Sequence, residues 1–119
     1  MTEPTDLETP PPAEADPTIP TLAAAMLRLR IDGDLSADVE AAIPQAKAEA
    51  EAFLDGTLYP SAEAREAAAD AKGIICTPDI IAAQLLLIDT IVHSNTDEGA
   101  DLKRTRAFNM LRRHRNMGV

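Results

Sequence analysis

Residues 77–92 read TPDIIAAQLLLIDTIV, and this stretch decides the fold class of the chain. Thr77 as N-cap, Pro78 at the first helical position and Asp79 in the first turn together predict a helix start. From Ile80 to Val92 every residue is apolar except Gln84, Asp89 and Thr90. A helix that is apolar on nearly all sides is buried on nearly all sides. The stretch therefore predicts a central helix around which the rest of the domain packs.

The segment before it contains a long amphipathic helix that can cover one side of the central one. Its apolar residues recur at helical spacing, as Val39, Ala42, Ile43, Ala46, Ala50, Phe53 and Leu54. Ser36 is predicted to cap this helix and Gly56 to end it. Pro44 lies inside it, so we expect a kink there.

Shorter elements complete the predicted domain. A helix runs from Leu22 to Arg30 and is broken at Asp32-Gly33-Asp34, where Gly33 is free to adopt a positive φ. Alanine and glutamate favour a short helix at Ala62–Ala71, and residues 74–76 are extended. A last helix spans Ala100–Arg115, with three apolar residues predicted to face inward: Leu102, Ala107 and Leu111.

The predicted fold class is all-α, a small bundle of four to five helices around the central apolar helix. The bundle occupies residues 21–116. Residues 1–20 contain six prolines, five acids and no base, and they have few bulky apolar groups. Because such a segment buries too little surface to offset its ordering entropy, we predict a disordered, acidic N-terminal arm.

Composition excludes several classes of protein. The net charge of −9 argues against general binding to nucleic acid or to anionic membranes. The longest apolar run is shorter than the roughly 20 residues of a membrane span, so no membrane association is expected. Cys76 is the sole cysteine, which excludes an internal disulfide and a Cys-rich zinc site. The chain contains 22 alanines and few aromatics, a composition typical of thin-walled helices that complete their burial against neighbouring subunits.

No segment carries a recognisable catalytic or cofactor-binding motif, so we expect no enzyme and no cofactor. Asp89 and His93 stand four residues apart, but a metal site needs further ligands, and a partnered surface pair is the better interpretation. Asp32, Asp34 and Asp38 lack the residue order of an EF-hand, which favours turn and capping roles. No metal site is predicted.

The basic C-terminal segment is the strongest candidate for a binding surface. Residues 100–119 hold six Lys or Arg residues against one acid, the reverse of the N-terminal arm. Four arginines are the candidates for docking onto an acidic partner: Arg104, Arg112, Arg113 and Arg115. The alternative is that these cations only complement the helix dipole.

Two parts of the chain together resemble the head–tail connector (adaptor) proteins of tailed bacteriophages. The first is Leu29-Arg30-Ile31-Asp32 at the end of a short helix, and the second is the buried helix with Ala83-Gln84-Leu85-Leu86-Leu87. Leu54-Asp55-Gly56 and Leu58-Tyr59 lie between them in the family's order. Asn95 matches a family asparagine, whereas His93-Ser94 replace the usual aromatic pair. The resemblance covers residues 21–116.

This resemblance implies a structural role in the virion. Connectors of this family are helical and form a ring, usually of twelve copies, beneath the portal protein. They extend the DNA channel without specific DNA binding and present a surface to tail-side completion proteins. By analogy, the basic C-terminal helix docks on the portal, and the loop of Asp32 and Asp34 faces the channel or a neighbouring subunit. The protein is then assembled in the host cytoplasm and resides at the head–tail interface.

Two other functions remain open from the sequence. A small terminase-like DNA-binding subunit is compatible with the basic C-terminal helix, although the net charge argues against it. A helical regulator of another protein is the second alternative.

Overall fold

Five α-helices make up most of this computed structural model, which describes residues 16–31, 33–93 and 97–116, with backbone only at 97 and 98. The helices are α1 (Leu22–Leu29), α2 (Ser36–Leu54), α3 (Ala62–Ala67), α4 (Pro78–Val92) and α5 (Asp97–Leu111). Two-residue strands β1 (Leu58–Tyr59) and β2 (Ile74–Ile75) pair in parallel. Single 3₁₀ turns occupy Gly33–Leu35 and Arg112–His114. The prediction of an all-α bundle is confirmed.

Helix α4 is the central helix, as predicted. It packs against α1, α2 and α5. Half of the apolar side chains from Ile80 to Val92, together with two polar ones, are buried, and the other half are partly exposed, so the helix is less completely enclosed than predicted; the buried residues are Ile80, Ala83, Gln84, Leu85, Leu87, Ile88 and Thr90. Full burial of one large aliphatic side chain contributes about 1.5–3 kcal/mol, so α4 is the main source of hydrophobic stabilisation.

Helix α2 presents the predicted apolar stripe to α4. Its buried residues are Val39, Ala42, Ile43, Ala46, Ala50 and Leu54. The helix continues through Pro44, which is exposed, so water can solvate the carbonyl that has lost its hydrogen bond. The prediction that Ser36 caps α2 is wrong: Ser36 is the first helical residue, and Leu35 is the N-cap without a side-chain hydrogen bond.

Three helices end on residues with left-handed backbone, and none of these residues is glycine. Arg30, Asp55 and Ala69 have φ of 53°, 60° and 55°. At the end of α1, Arg30 N–H donates to Leu27 O and Ile31 N–H to Met26 O, which is a Schellman motif. Gly33, which was free to adopt a positive φ, does not do so and instead opens the following 3₁₀ turn.

The glycines near the strands are needed for close approach. A Cβ on Gly73 would lie 2.5 Å from the Tyr59 ring, and one on Gly56 would lie 2.5 Å from Lys72 O. These contacts let β2 lie beside β1, where Ile74 N–H donates to Thr57 O and Cys76 N–H donates to Tyr59 O. The strand pair was not predicted beyond the extended segment at residues 74–76.

The folded part begins before residue 21, the predicted boundary. Thr18 is buried, and its carbonyl accepts a 2.8 Å hydrogen bond from Nε2 of the fully buried Gln84. Asp16 Oδ2 lies 3.5 Å from Lys47 Nζ of α2. Residues 16–20 therefore belong to the bundle, while the rest of the predicted arm lies outside the described residues. Among the helices of the described ranges, none is long and apolar enough to cross a membrane.

Candidate functional site

The basic C-terminal segment begins in α5, whose inner side is fixed by the core. Ala107 and Leu111 are fully buried, as predicted. Leu102 is 61% exposed, so the prediction that it faces inward is wrong. Since Leu102 lies five residues before Ala107, about 140° around the helix, the two side chains point in different directions.

Asp79, in the first turn of α4, binds two side chains of the C-terminal segment. Its Oδ2 lies 2.9 Å from Arg113 Nη2 and 2.7 Å from His114 Nε2, and its Oδ1 accepts from the Thr77 hydroxyl. Burial acts to raise the pKa of Asp79, but hydrogen bonds from Thr77, His114 and Arg113 hold that pKa below its ordinary value. Asp79 therefore stays ionised and anchors the end of the chain to the start of α4.

The last described residues close over the end of α2. Asn116 N–H donates to Leu54 O, and Asn116 Nδ2 donates to Asp55 O at 2.7 Å and to Lys72 O at 2.8 Å. We call residues 113–116 the C-terminal clasp, because they join the start of α4 to the end of α2 and to the approach of β2. Part of the basic segment therefore has a structural role, because it holds these elements of the fold together.

The remaining inner cations are also engaged within the chain. Arg104 Nη1 lies 2.9 Å from Glu49 Oε1, an ion pair without hydrogen-bond geometry. Its guanidinium also lies 5.4 Å from the Phe108 ring centroid. Phe108 stacks on Phe53 at 4.8 Å, and the Arg115 guanidinium lies 5.1 Å from the Phe53 centroid. Each phenylalanine ring thus makes a cation–π contact with one guanidinium.

Asp89 is a structural carboxylate in α4. Its oxygens lie 2.6 Å from Lys103 Nζ and 2.7 Å from His93 Nδ1. Burial acts to raise its pKa, whereas the hydrogen bonds from Lys103 and His93 lower it, and the net shift is downward. In the part of the chain that the structure describes, no group of three or more His, Cys, Asp or Glu side chains is placed to hold a metal.

One face of α5, continued by the first residue of the following 3₁₀ turn, is exposed to solvent. We call it the α5 outer face, and its residues are Leu102, Thr105, Arg106, Asn109 and, in that turn, Arg112. Their spacing of three and four residues places them on one side of the helix. Arg112 Nη2 reaches Asn109 Oδ1 at 3.3 Å, and neither Arg106 nor Arg112 has a carboxylate partner among the described residues. Of the four arginines predicted to dock, the structure thus leaves Arg112 facing outward, whereas Arg104, Arg113 and Arg115 make internal contacts.

The remaining predicted residues are structural or fall partly outside the description. Leu29, Arg30 and Ile31 form the end of α1, where Ile31 is buried and Arg30 is exposed. Asp34 is exposed in the 3₁₀ turn after α1. Asp32 and Asn95 lie outside the described residues. The sequence reasoning missed Asp79 and Asn116, whose partners lie 34 to 61 residues away in the chain and leave no local signal.

Comparison of the chain with models of protein families, with curated proteins and with solved structures finds no match.

Proposed function

We propose that this chain is a structural subunit of a tailed-bacteriophage head–tail connector. In this proposal, copies form a ring beneath the portal protein, extend the DNA channel and present a surface to tail-side completion proteins. The protein resides in the virion at the head–tail interface. DNA passes through the ring without specific binding.

The observation that carries the proposal is the α5 outer face. It combines an exposed leucine with two arginines that have no carboxylate partner among the described residues. Exposed apolar area next to unneutralised charge is typical of a protein-binding surface. Its chemistry fits an apolar pocket rimmed by acids, and we assign that partner surface to the portal.

The resemblance to connectors adds support through the same two segments quoted above. Ile31, the third residue of the first segment, is buried in the core to which α4 also belongs. The Schellman motif at Arg30 fixes the direction in which the chain leaves α1 towards Asp34. Asp34 is then an exposed acid on a short turn, which suits a channel lining that repels packaged DNA.

The internal contacts of three of the four candidate arginines reduce the set that can be used to test docking. Arg104 and Arg113 each lie 2.9 Å from an internal carboxylate, and Arg115 lies over a phenylalanine ring. Substituting these three would perturb the bundle or the clasp as well as any docking. Substitution of Arg112, together with Arg106 on the same face, therefore tests portal binding without removing an internal ion pair.

The matched experiment compares two variants of equal net charge. Arg106→Gln with Arg112→Gln removes two positive charges from the α5 outer face. Ala37→Glu with Ala52→Glu adds two negative charges at exposed positions of α2. Each pair is mixed with the portal encoded in the same genome, and binding is measured by surface plasmon resonance at two salt concentrations.

The proposal expects the arginine pair to weaken portal binding, by about 1–2 kcal/mol as for two rim charges, and the α2 pair to leave it within twofold. Equal binding by both pairs would contradict docking through this face. Duplex DNA titrated across salt separates the DNA-binding alternative, for which affinity falls steeply with salt and the arginine pair abolishes it.

A further inference from the structure

A groove opens between α1, the start of α4 and the residues after β1. It encloses about 550 Å³, a volume in the range of ligand-binding clefts. Its walls are mainly apolar and include three prolines, and the lining residues that matter here are Pro17, Arg28, Pro60, Cys76, Pro78 and Ile81. An apolar surface of this kind suits an extended, proline-containing peptide, because proline rings are apolar and proline has no backbone N–H that would need a partner in the groove.

The chain itself supplies such a peptide. Fifteen residues precede Asp16 and lie outside the described residues; they include four prolines, three of them consecutive at Pro10–Pro12. Pro17, where the described chain begins to pack, forms part of the groove wall. Consecutive prolines favour extended polyproline II, which rises about 3.1 Å per residue, so the segment from Pro4 to Asp16 spans roughly 35 Å. That length equals about one diameter of a domain of this size, enough to reach an adjacent copy.

The charges of the N-terminal segment and of the groove also favour binding of one by the other. The segment carries four acids and no base: Glu3, Asp6, Glu8 and Glu14. Arg28 is exposed at the groove and has no carboxylate partner within the described ranges. Asp16 and Asp79, which adjoin the lining residues Pro17 and Pro78 in sequence, are already paired, Asp16 with Lys47 and Asp79 with Arg113 and His114. The groove therefore offers one unpaired cation to an acidic, proline-rich strand.

We propose that this groove binds residues 3–14 of a second copy of the chain, with Pro10–Pro12 against its prolines and an acid of the segment on Arg28. Only Ala13, Glu14 and Ala15 separate the stiff Pro10–Pro12 unit from Asp16. Because three residues leave little room to reverse direction into the groove beside Pro17, the neighbour's groove is the favoured acceptor. This inference rests on the self-association in the proposed function but not on portal binding.

Cys76 provides a direct readout of groove occupancy. It is the sole cysteine, it is half-buried, and it lines the groove. Burial raises the pKa of this thiol to about 11, so its reaction with Ellman's reagent is slow enough to follow at about pH 8.5. A peptide in the groove blocks the reagent, and the labelling rate then reports the open fraction.

The test compares the full chain with a variant lacking residues 2–12, from micromolar to millimolar protein. For the full chain we expect the labelling rate to fall as concentration rises, about tenfold once nine grooves in ten are filled. The truncated variant should label at the fast rate throughout, and adding a synthetic peptide of residues 1–15 should slow it. Arg28→Gln should speed labelling of the full chain but not of the truncated one, while Arg106→Gln on the α5 outer face should change neither.

Three results would overturn the inference. Equal labelling rates for the full and truncated chains at every concentration would mean that the segment does not occupy the groove. Faster labelling on truncation without any concentration dependence would assign the groove to the same molecule's own segment. Protection that persists in Arg28→Gln together with the four-fold neutralised segment (E3Q, D6N, E8Q, E14Q) would contradict the proposed pairing of an acid of the segment with Arg28. Loss of portal binding with intact concentration-dependent protection would count against the proposed function alone.

Discussion

Asp79→Ala tests whether the C-terminal clasp stabilises the bundle through one carboxylate. The substitution removes hydrogen bonds from the Thr77 hydroxyl and from His114, whose side chain is only 20% exposed. It also removes the pair with Arg113, which is 74% exposed and therefore contributes little. Loss of the two charge-assisted hydrogen bonds and of the favourable interaction with the helix dipole should lower the free energy of unfolding by about 3 kcal/mol.

Asp38→Ala is the matched control. Asp38 also lies in the first turn of a long helix, but it is exposed, and no hydrogen bond or ion pair engages it within the described ranges. Its loss should cost only the dipole contribution, about 0.3–1 kcal/mol. Both variants are measured by urea denaturation at pH 7 followed by circular dichroism. In a double-mutant cycle, Asp79→Ala and His114→Ala should couple by about 1 kcal/mol.

The stability that Asp79 contributes should decrease as the pH falls. The folded-state pKa of Asp79 lies below its ordinary value, so its stabilisation is present above about pH 4 and is lost as the pH falls through the folded-state pKa. The difference in stability between the parent protein and Asp79→Ala should therefore narrow on acidification. A cost for Asp79→Ala no larger than that for Asp38→Ala, with zero coupling to His114, would refute the clasp as a stabilising element.

Further substitutions test the backbone and the core. Ala69→Gly should raise the free energy of unfolding by about 1 kcal/mol because residue 69 is left-handed, whereas the adjacent right-handed Ala68→Gly should not stabilise; thermal denaturation compares them. Gly73→Ala should cost about 1–3 kcal/mol in urea denaturation, since its Cβ would meet the ring of the β1 tyrosine, and an unchanged midpoint would contradict that contact. Leu87→Ala should cost about 2–5 kcal/mol, whereas the exposed Leu102→Ala should change stability by less than about 0.5 kcal/mol and weaken only portal binding.

The helices could be predicted because their signals are local. The apolar run from Ile80 to Val92 and the stripe that ends at Leu54 depend only on residue order, and both helices form where the pattern indicates. The fold class and the central position of α4 follow from the same signals.

The helix ends were predicted less well, because a glycine required by a left-handed backbone and a glycine required by close approach to a neighbouring group look alike in sequence. The left-handed positions fall on the exposed residues Arg30, Asp55 and Ala69, whose backbone N–H groups donate to carbonyls of the last helical turn. Gly56 and Gly73 are instead required by close approach to Lys72 O and to the Tyr59 ring. Only the pairing of the strands, which is non-local, reveals that requirement.

The candidate site was predicted in outline but not in detail. Charge clustering located the basic segment, yet the division between inner and outer cations depends on partners far away in the chain, such as Asp79 for Arg113. The exposure of Leu102 likewise depends on how α5 is rotated against α4. Sequence periodicity in α5 is too weak to fix that rotation, because Leu102, Ala107 and Leu111 do not form one stripe.

The most direct test of the connector proposal is native mass spectrometry of the full chain, alone and mixed with the portal encoded in the same genome. We expect a complex that gains about one copy of the chain per portal subunit, and a smaller gain for the variant that carries both Arg106→Gln and Arg112→Gln. A chain that stays a monomer or dimer and leaves the mass of the portal unchanged would contradict the proposed function.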